Sequence, residues 1–219
     1  MTEQLLCEAG DVRSAPLARD ALDAAARLLA SAFTGDPIIE WIAPTAPARV
    51  GFFAALLGGV EPMADWVEFA PGREAVAVWI PSERLRAGPT VRELLSVPGM
   101  FRAAGPWGSV RLARFGLALA VHHRIAAPHD YLMLLGVQPG ARGKQLGSRL
   151  LRDHLERLDA LGRGAFLETS NAANVAFYEK HGFTVLKAFK PPGGGPPLWS
   201  MWRPGGAARG GHPLQRTGF

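Results

Sequence analysis

The clearest chemical signal in the chain is a glycine-rich turn at residues 138–147, Gln-Pro-Gly-Ala-Arg-Gly-Lys-Gln-Leu-Gly, between an apolar stretch and an amphipathic one. Where such a turn opens a helix, free backbone N–H groups and the positive end of the helix dipole meet, which favours a phosphate or pyrophosphate. Arg142 and Lys144 add positive charge. The spacing is neither that of a Walker loop nor that of a dinucleotide fingerprint. An ordinary strand-to-helix turn with a solvated basic face remains the alternative.

The elements that position this turn form a strand-helix-strand unit. Residues 131–137 are almost wholly apolar, which predicts a strand buried on both faces. Leucines at 146, 150, 151, 155 and 158 share one face of a predicted helix that ends at Gly162. A strand over 165–169, a helix over 172–181 and two strands over 183–189 and 198–202 complete this half.

The N-terminal half changes from helical to strand periodicity and back. A short strand near Val12, a helix from Asp20 that stops at Gly35, Asp36 and Pro37, and a helix over 46–63 come first. A hairpin follows, with strands over 66–70 and 74–80 joined by Pro71 and Gly72. Helical signals return over 81–128, where Thr90 and Glu93 have the spacing of a capping box.

Composition indicates one soluble globular domain. The chain has 219 residues, of which 48% are hydrophobic and 20% charged. We expect a single domain over residues 1–203, with 81–128 as a helical insert, and a glycine- and arginine-rich tail over 204–219. Neither a membrane-spanning run nor a secretory signal is recognisable, so a cytoplasmic protein is expected. Cys7 is the only cysteine, which excludes an internal disulfide and a cysteine-rich zinc site.

Downstream of the turn, Leu-Glu-Thr-Ser-Asn at 167–171, Asn174, and Phe-Tyr-Glu-Lys-His-Gly-Phe at 177–183 resemble motifs of the GNAT superfamily of N-acetyltransferases. Further pieces at 32–33, 36–37, 41, 75–79, 128–129 and 197–202 resemble the branch that includes puromycin N-acetyltransferase. The resemblance runs over roughly residues 10–203. It implies an α/β (α+β) GNAT-type fold: a central mixed, mostly antiparallel sheet flanked by helices, with a helical insert before the cofactor-binding strand.

The resemblance also implies acetyl-CoA as co-substrate. The turn would hold the pyrophosphate, and backbone groups of the preceding strand would hold the pantetheine arm and polarise the thioester carbonyl. Gln145 stands where the family pattern usually has a glycine, although its N–H donor survives. The implied cofactor-binding residues are Leu135, Gly136, Val137, Arg142, Gly143, Lys144, Gln145, Leu146, Gly147, Ser148, Asn174, Phe177 and Tyr178.

For the chemistry, the resemblance makes Tyr178 the acid that protonates the departing thiolate; a purely packing role is the alternative. Glu168 is the candidate base, or else the partner of a structural arginine. Asp36 and Glu40 are competing bases, and Phe33, Asp36, Glu40 and Trp41 form the expected acceptor side. No metal is expected, because the spacing of His122, His123 and His129 matches no ligand set.

These residues predict direct acetyl transfer to a primary amine of a small molecule in a ternary complex, by a monomer or homodimer. A protein N-terminal or lysine acetyltransferase and a non-catalytic acyl-CoA-binding protein remain alternatives. The formal net charge of +5 raises the possibility of nucleic-acid binding. The sequence does not favour it, because the basic residues cluster at the turn and lack interleaved aromatic residues. Neither a specific nucleic acid nor a membrane is expected as a partner.

Overall fold

A computed structural model of the protein describes residues 19–60, 67–87, 91–123 and 125–206. The predicted strand near Val12, Thr90 of the capping box, and residues 207–219 of the tail lie outside these ranges. None of the helices in the described ranges is long and apolar enough to cross a membrane. The elements, in chain order, are α1 (Arg19–Ala32), α2 (Pro37–Ile42), α3 (Ala46–Val60), β1 (Val67–Phe69), β2 (Ala75–Pro81), α4 (Ser82–Arg86), α5 (Val91–His122), β3 (His129–Val137), α6 (Leu146–Ala160), β4 (Gly164–Thr169), α7 (Ala172–Glu179), β5 (Thr184–Phe189) and β6 (Leu198–Arg203).

The strands form one six-stranded sheet in the order β1-β2-β3-β4-β6-β5. Every neighbouring pair is antiparallel except β3 and β4, which run parallel. The predicted fold class, a mixed and mostly antiparallel sheet flanked by helices, is confirmed. The hairpin predicted around Pro71 and Gly72 is the β1–β2 pair.

The parallel pair β3 and β4 is joined along only part of its length. Its register runs from His129 opposite Gly164 to Leu132 opposite Leu167. Beyond these positions β3 continues to Val137 and β4 to Thr169 without pairing to each other. The two strands therefore separate, and they leave backbone polar groups of β3 facing a gap in the middle of the sheet.

A β-bulge lies on β3 where this gap begins. Trp79 of β2 pairs with Leu132 and Val78 pairs with Leu134, so Met133 is an extra residue. The bulge shifts the alternation of side chains between the two faces. As a result Leu132 packs in one hydrophobic cluster, while Leu134 packs in the cluster on the opposite face.

Helices cover both faces of the sheet. The apolar faces of α1, α2 and α3 pack together with residues of α5 on one face, and α6 and α7 pack on the other. A close approach between α1 and β3 explains one glycine: a Cβ at Gly136 would lie 2.9 Å from Leu29 Cδ2 and 3.2 Å from Ala32 Cβ. The leucines predicted to share a face of α6 are buried, as expected.

The predicted insert consists of α4 and the long helix α5, which packs along α3. The helix bends at Gly105, whose φ of 71° breaks the helical backbone just before Pro106. The predicted tail begins too early. Gly205 is buried, and a Cβ there would lie 2.5 Å from the carbonyl oxygen of Arg163, so packing continues past residue 203.

Candidate active site

A cavity of about 870 Å³ lies at the gap between β3 and β4. Its walls come from both faces of the sheet, since its lining includes the turn before α6 as well as parts of α1, α2, α3 and α5. The strands supply Leu132, Met133 and Leu134 from one side of the gap, and Glu168 and Thr169 from the other. The separation of the two strands thus makes one continuous space out of two half-sites.

One half-site is the turn that leads into α6. Gln145 is the N-cap of this helix and makes no side-chain capping bond, whereas α2 and α7 are capped by Asp36 and Asn171. The first helical hydrogen bond of α6 is donated by the N–H of Arg149 to the carbonyl oxygen of Gln145, at 3.0 Å. The N–H groups of residues 146–148 have no acceptor within the helix. They lie at the cavity wall, where an anion would be stabilised.

The backbone of the turn explains the family's preference for glycine at position 145. Gln145 has φ 59° and ψ 18°, in the left-handed region, and Gly143 also has a positive φ of 82°. A non-glycine residue there costs about 1–2 kcal/mol. The side chain of Gln145 is exposed. Glutamine at position 145 therefore strains the backbone, but the turn keeps the conformation that directs the N–H groups towards the cavity.

Gly147 serves a different purpose from the one expected of a loop glycine. A Cβ at Gly147 would lie 3.2 Å from Val137 Cγ2, on the strand, so its absence allows α6 to approach β3 closely. Two basic residues of the turn also have protein partners. Arg142 donates to the carbonyl of Ala32 at 3.0 Å, and Lys144 lies 3.1 Å from Glu74. Among the predicted cofactor-binding residues, Lys144 is the one absent from the cavity lining.

Helix α7 brings Asn174, Phe177 and Tyr178 to the cavity. Its N-terminus is fixed by Asn171, whose Oδ1 accepts the Ala173 N–H at 3.0 Å. The Tyr178 ring is buried and packs edge-on against Phe177 and Phe183. Burial, and secondarily the charge of Asp36, raises the pKa of Tyr178, so its hydroxyl stays protonated at neutral pH.

Glu168 lies where β4 separates from β3, with a side chain only 2% exposed. Neither carboxyl oxygen has a hydrogen-bond partner of normal geometry among the described residues. Burial raises the pKa of Glu168 to about 8, and the nearby Tyr131 hydroxyl opposes this shift only in part. No arginine pairs with it in the described part of the chain. A carboxyl group with a pKa near neutrality is suited to accept a proton during a reaction.

Two histidines stand behind Glu168. Nδ1 of His129 lies 2.7 Å from the Ala127 carbonyl oxygen, so this nitrogen carries the hydrogen and donates it. Nε2 of His129 then accepts from Nε2 of His123 at 3.4 Å. Nδ1 of His123 is left with a lone pair, 3.8 Å from Glu168 Oε1. Burial, followed by the charge of His129, lowers the pKa of His123 to about 4, so this chain of side chains is neutral at pH 7.

The acceptor side agrees only in part with the sequence prediction. Phe33 and Asp36 line the cavity, whereas Glu40 and Trp41 are not among its lining residues. Glu40 is exposed, and its Oε1 accepts the Gly35 N–H at 2.8 Å. Trp41 packs beneath the guanidinium of Arg111. The reason is that residues 37–42 form α2 rather than a loop, which turns these two side chains away.

Asp36 has a structural role as well as a place on the cavity wall. Its Oδ1 caps α2 by accepting the N–H groups of Ile38 and Ile39 at 3.1 and 3.0 Å, and the Ser170 hydroxyl donates to the same carboxyl group. Burial raises the pKa of Asp36, and these hydrogen bonds oppose the shift. Sequence reasoning missed Ser170, although it directly follows the strand that carries Glu168. It also missed Met133, for which the sequence gives no signal.

Within the described ranges, no group of three or more His, Cys, Asp or Glu side chains is placed to hold a metal ion.

Comparison with known families supports one class of enzyme. Residues 105–185 match the family model described as "Acetyltransferase (GNAT) domain". This segment contains β3, the turn, α6, β4 and α7, which carry most of the cavity's polar groups. This part of the chain therefore matches a GNAT acetyltransferase domain, and the enzyme class that the match supports is N-acetyltransferase.

Solved structures agree on the fold. A Corynebacterium glutamicum structure described as histone acetyltransferase HPA2 and related acetyltransferase has 21% identity and a TM-score of 0.55, covering 93% of this chain and 97% of that one. Drosophila melanogaster polyamine N-acetyltransferase, described as forming N-acetylagmatine, has 21% identity and a TM-score of 0.54, covering 85% and 94%. An agmatine N-acetyltransferase mutant has 23% identity and a TM-score of 0.50, covering 84% and 93%.

Proposed function

We propose that the protein transfers the acetyl group of acetyl-CoA to a primary amine of a small molecule, directly, within a ternary complex. The observation that carries the proposal is the continuity of the cavity. It joins the uncapped N-terminus of α6 to the carboxyl of Glu168 and the hydroxyl of Tyr178 through the gap in the sheet. The resemblance of the chain to the branch that includes puromycin N-acetyltransferase supports a small acceptor.

Successive parts of the cofactor half of the cavity fit the pyrophosphate, the pantetheine arm and the thioester of acetyl-CoA. The N–H groups of Leu146, Gly147 and Ser148 would bind the pyrophosphate, with Arg142 beside them. The β3 backbone after Leu132 has no strand partner on the side of the gap, so its amide groups are available to the pantetheine arm. The same backbone, at the bulge of Met133, would polarise the thioester carbonyl as charge develops on its oxygen.

The transfer then needs three proton movements. Glu168, ionised, takes a proton from the acceptor ammonium, and the neutral amine nitrogen attacks the thioester carbon. The C–N bond forms, the C–S bond breaks and the nitrogen gives its second proton to solvent, which yields an amide and a thiolate. Tyr178 donates its proton to the thiolate and regains one from solvent, and Glu168 releases its proton. The balance is one amide, one CoA thiol and one proton from an ammonium ion and a thioester.

A protein or peptide acceptor is the second candidate within the class, and a non-catalytic acyl-CoA-binding protein is the third. The helical insert favours a small molecule, because α5 contributes Met100, Leu112, Phe115, Gly116 and Leu119 to the cavity wall above the acceptor side. A chain that only bound acyl-CoA would have no use for a buried, unpaired carboxyl beside the gap.

Calorimetry with CoA, and a screen of amines that follows thiol release from acetyl-CoA, test the proposal. Arg142→Ala is expected to weaken CoA binding several-fold by removing one cation from the anion site. Arg152→Ala is the matched control, since Arg152 is an exposed arginine further along α6 and outside the cavity lining. Binding of CoA with no thiol release for any amine would favour the non-catalytic candidate. Absence of binding heat at millimolar CoA would refute the transferase.

A further inference from the structure

The acceptor half of the cavity is strongly apolar. Three aromatic rings line it, those of Phe33 in the turn after α1, Phe52 of α3 and Phe115 of α5, and aliphatic side chains of α2 and α5 lie between them. A peptide backbone brings one donor and one acceptor for each residue, and these walls would leave them unpaired at a cost of about 1–3 kcal/mol for each group. Such a surface instead favours the binding of an acceptor whose body is apolar.

The charges in this half fit a single ammonium group. Apart from Arg142 on the cofactor turn, the ionised or ionisable acids and bases among the described lining residues are the carboxyls of Asp36 and Glu168 and the two tyrosine hydroxyls. Glu168 is mostly protonated at neutral pH, and Asp36 already accepts hydrogen bonds from Ile38, Ile39 and Ser170. A second ammonium group on the acceptor would have to compete with these hydrogen bonds for Asp36 or lie against apolar walls.

One glycine of α5 has no structural explanation. Gly99 and Gly108 allow close helix contacts, since a Cβ would lie 3.0 Å from Ala55 Cβ and 2.3 Å from the Ile42 carbonyl oxygen, and Gly105 has a positive φ. Gly116 is exposed, has helical geometry and lines the cavity, and among the described residues a Cβ there would have no atom within 4 Å. A glycine inside a helix costs about 1 kcal/mol relative to alanine. The absence of a side chain at Gly116 leaves space in the acceptor half of the cavity.

We propose that the acceptor is a primary monoamine carried on a bulky apolar body, aryl or branched alkyl, and that this body occupies the space over Gly116. The inference rests on the proposed function and adds the substrate class of the same site. Gly116 is then a specificity-determining residue, because the size of its side chain sets the largest body that reaches Glu168 and the gap.

The test compares side chains of increasing size at Gly116 with the same changes at Gly58. Gly58 lies in α3, outside the cavity lining, and a Cβ there also has no atom of the described part of the chain within 4 Å. For the four variants Gly116→Ala, Gly116→Leu, Gly58→Ala and Gly58→Leu, kcat/KM is measured with phenethylamine, propylamine, agmatine and a tetrapeptide. CoA affinity and the melting temperature are measured on the same preparations.

The wild-type protein is expected to favour phenethylamine over propylamine, agmatine and the peptide by tenfold or more. Gly116→Leu is expected to lower kcat/KM for phenethylamine at least tenfold while propylamine and CoA affinity change less than threefold, since excluded volume in an apolar pocket is worth 10- to 200-fold. The Gly58 variants are expected to leave all four substrates unchanged. Both alanine variants are expected to melt at or above the wild-type temperature, so a loss of activity at Gly116 is not a folding defect.

Two kinds of failure are distinguishable. Preference for agmatine or the peptide, or full phenethylamine activity in Gly116→Leu, overturns the inference and leaves the proposed transferase standing. Absence of acetyl transfer to every amine, together with absence of CoA binding, overturns the proposed function and this inference with it.

Discussion

Replacing Glu168 with glutamine is expected to lower kcat/KM and to raise the free energy of unfolding, so the two measurements distinguish a catalytic role from a structural one. Glutamine has nearly the volume of the carboxylic acid and stays neutral at every pH. If Glu168 is the base, kcat/KM falls by about 10² to 10⁴, the usual contribution of general base catalysis. In the wild type the rate should rise tenfold per pH unit and level off near pH 8, because only about a tenth of a group with pKa 8 is ionised at pH 7.

The stability effect follows from the same pKa. Burial raises the pKa of Glu168 from an ordinary value of 4.5 to about 8, so between these values the folded protein keeps a proton that the unfolded chain has released. Stability is therefore lost as the pH rises through this window. The loss is about 1 kcal/mol at pH 5 and about 4 kcal/mol at pH 8, with a limit of about 5 kcal/mol. Glu168→Gln removes this dependence, so its stability relative to wild type is expected to increase with pH.

Urea unfolding from pH 5 to pH 9 measures the difference in unfolding free energy, and kcat/KM is measured over the same range. Glu83→Gln is the matched control: a salt bridge to Arg163 lowers the pKa of Glu83 to about 2, so it stays ionised throughout, and its difference from wild type should be flat. A weakly basic amine, which arrives neutral, should restore activity to Glu168→Gln. A flat stability difference for Glu168→Gln would contradict the burial argument, and an unchanged kcat/KM would exclude Glu168 as the base.

Three further predictions concern other parts of the site and the fold. Tyr178→Phe is expected to keep CoA affinity by calorimetry and lower kcat by about 10²-fold or more; a wild-type kcat with a good acceptor would mean that solvent protonates the thiolate. Gln145→Val is expected to unfold at lower urea concentration than Gln145→Gly, because a β-branched side chain is least tolerated at φ 59°; coincident unfolding curves would show that the turn is not strained. Burial lowers the pKa of His154, but hydrogen bonds to Asp130 and Glu68 outweigh this effect and raise the pKa overall. Protonated His154 therefore stabilises the fold below about pH 6.5, and this contribution to the unfolding free energy is lost as the pH rises through the pKa of the folded state. The difference in unfolding free energy between wild type and His154→Gln should accordingly shrink above that pH, and a difference that grows there would contradict the ion pairs.

The sequence predicts best what depends on neighbours along the chain. The strand-turn-helix segment around Arg142 and the helix that carries Tyr178 depend on local periodicity and on turn residues, and both are present as expected. The mixed, mostly antiparallel sheet was predicted from the family resemblance, whereas the strand order and the parallel β3–β4 pair were not predicted, since pairing between distant strands leaves no local pattern. The GNAT domain itself was recognised from short motifs that the family match includes.

What the sequence could not predict depends on contacts between distant segments. Glu40 and Trp41 were expected at the acceptor side, but a cap on α2 rotates them away, and this cap is completed by Ser170 from 134 residues further along the chain. His123 and His129 were considered only as metal ligands, since their spacing in sequence says nothing of the hydrogen bond between their rings. For Gly147, the structural reason lies in the strand beneath it rather than in the loop.

The partial pairing of β3 and β4 has a mechanical consequence. Strand pairing joins the two halves of the sheet only at one end, by the register from His129 to Leu132, and ion pairs from Arg163 to Asp130 and Glu83 reinforce that end. The part of β3 that is not paired with β4 is five residues long, about 16 Å at 3.3 Å per residue, and it stays paired with β2. If the half of the sheet formed by β1, β2 and β3 rotates by about 5° about the paired end, the far end of β3 moves by about 1.4 Å, roughly the radius of a water molecule. The width of the gap is therefore sensitive to small rotations about the paired end, which lies farthest from the opening.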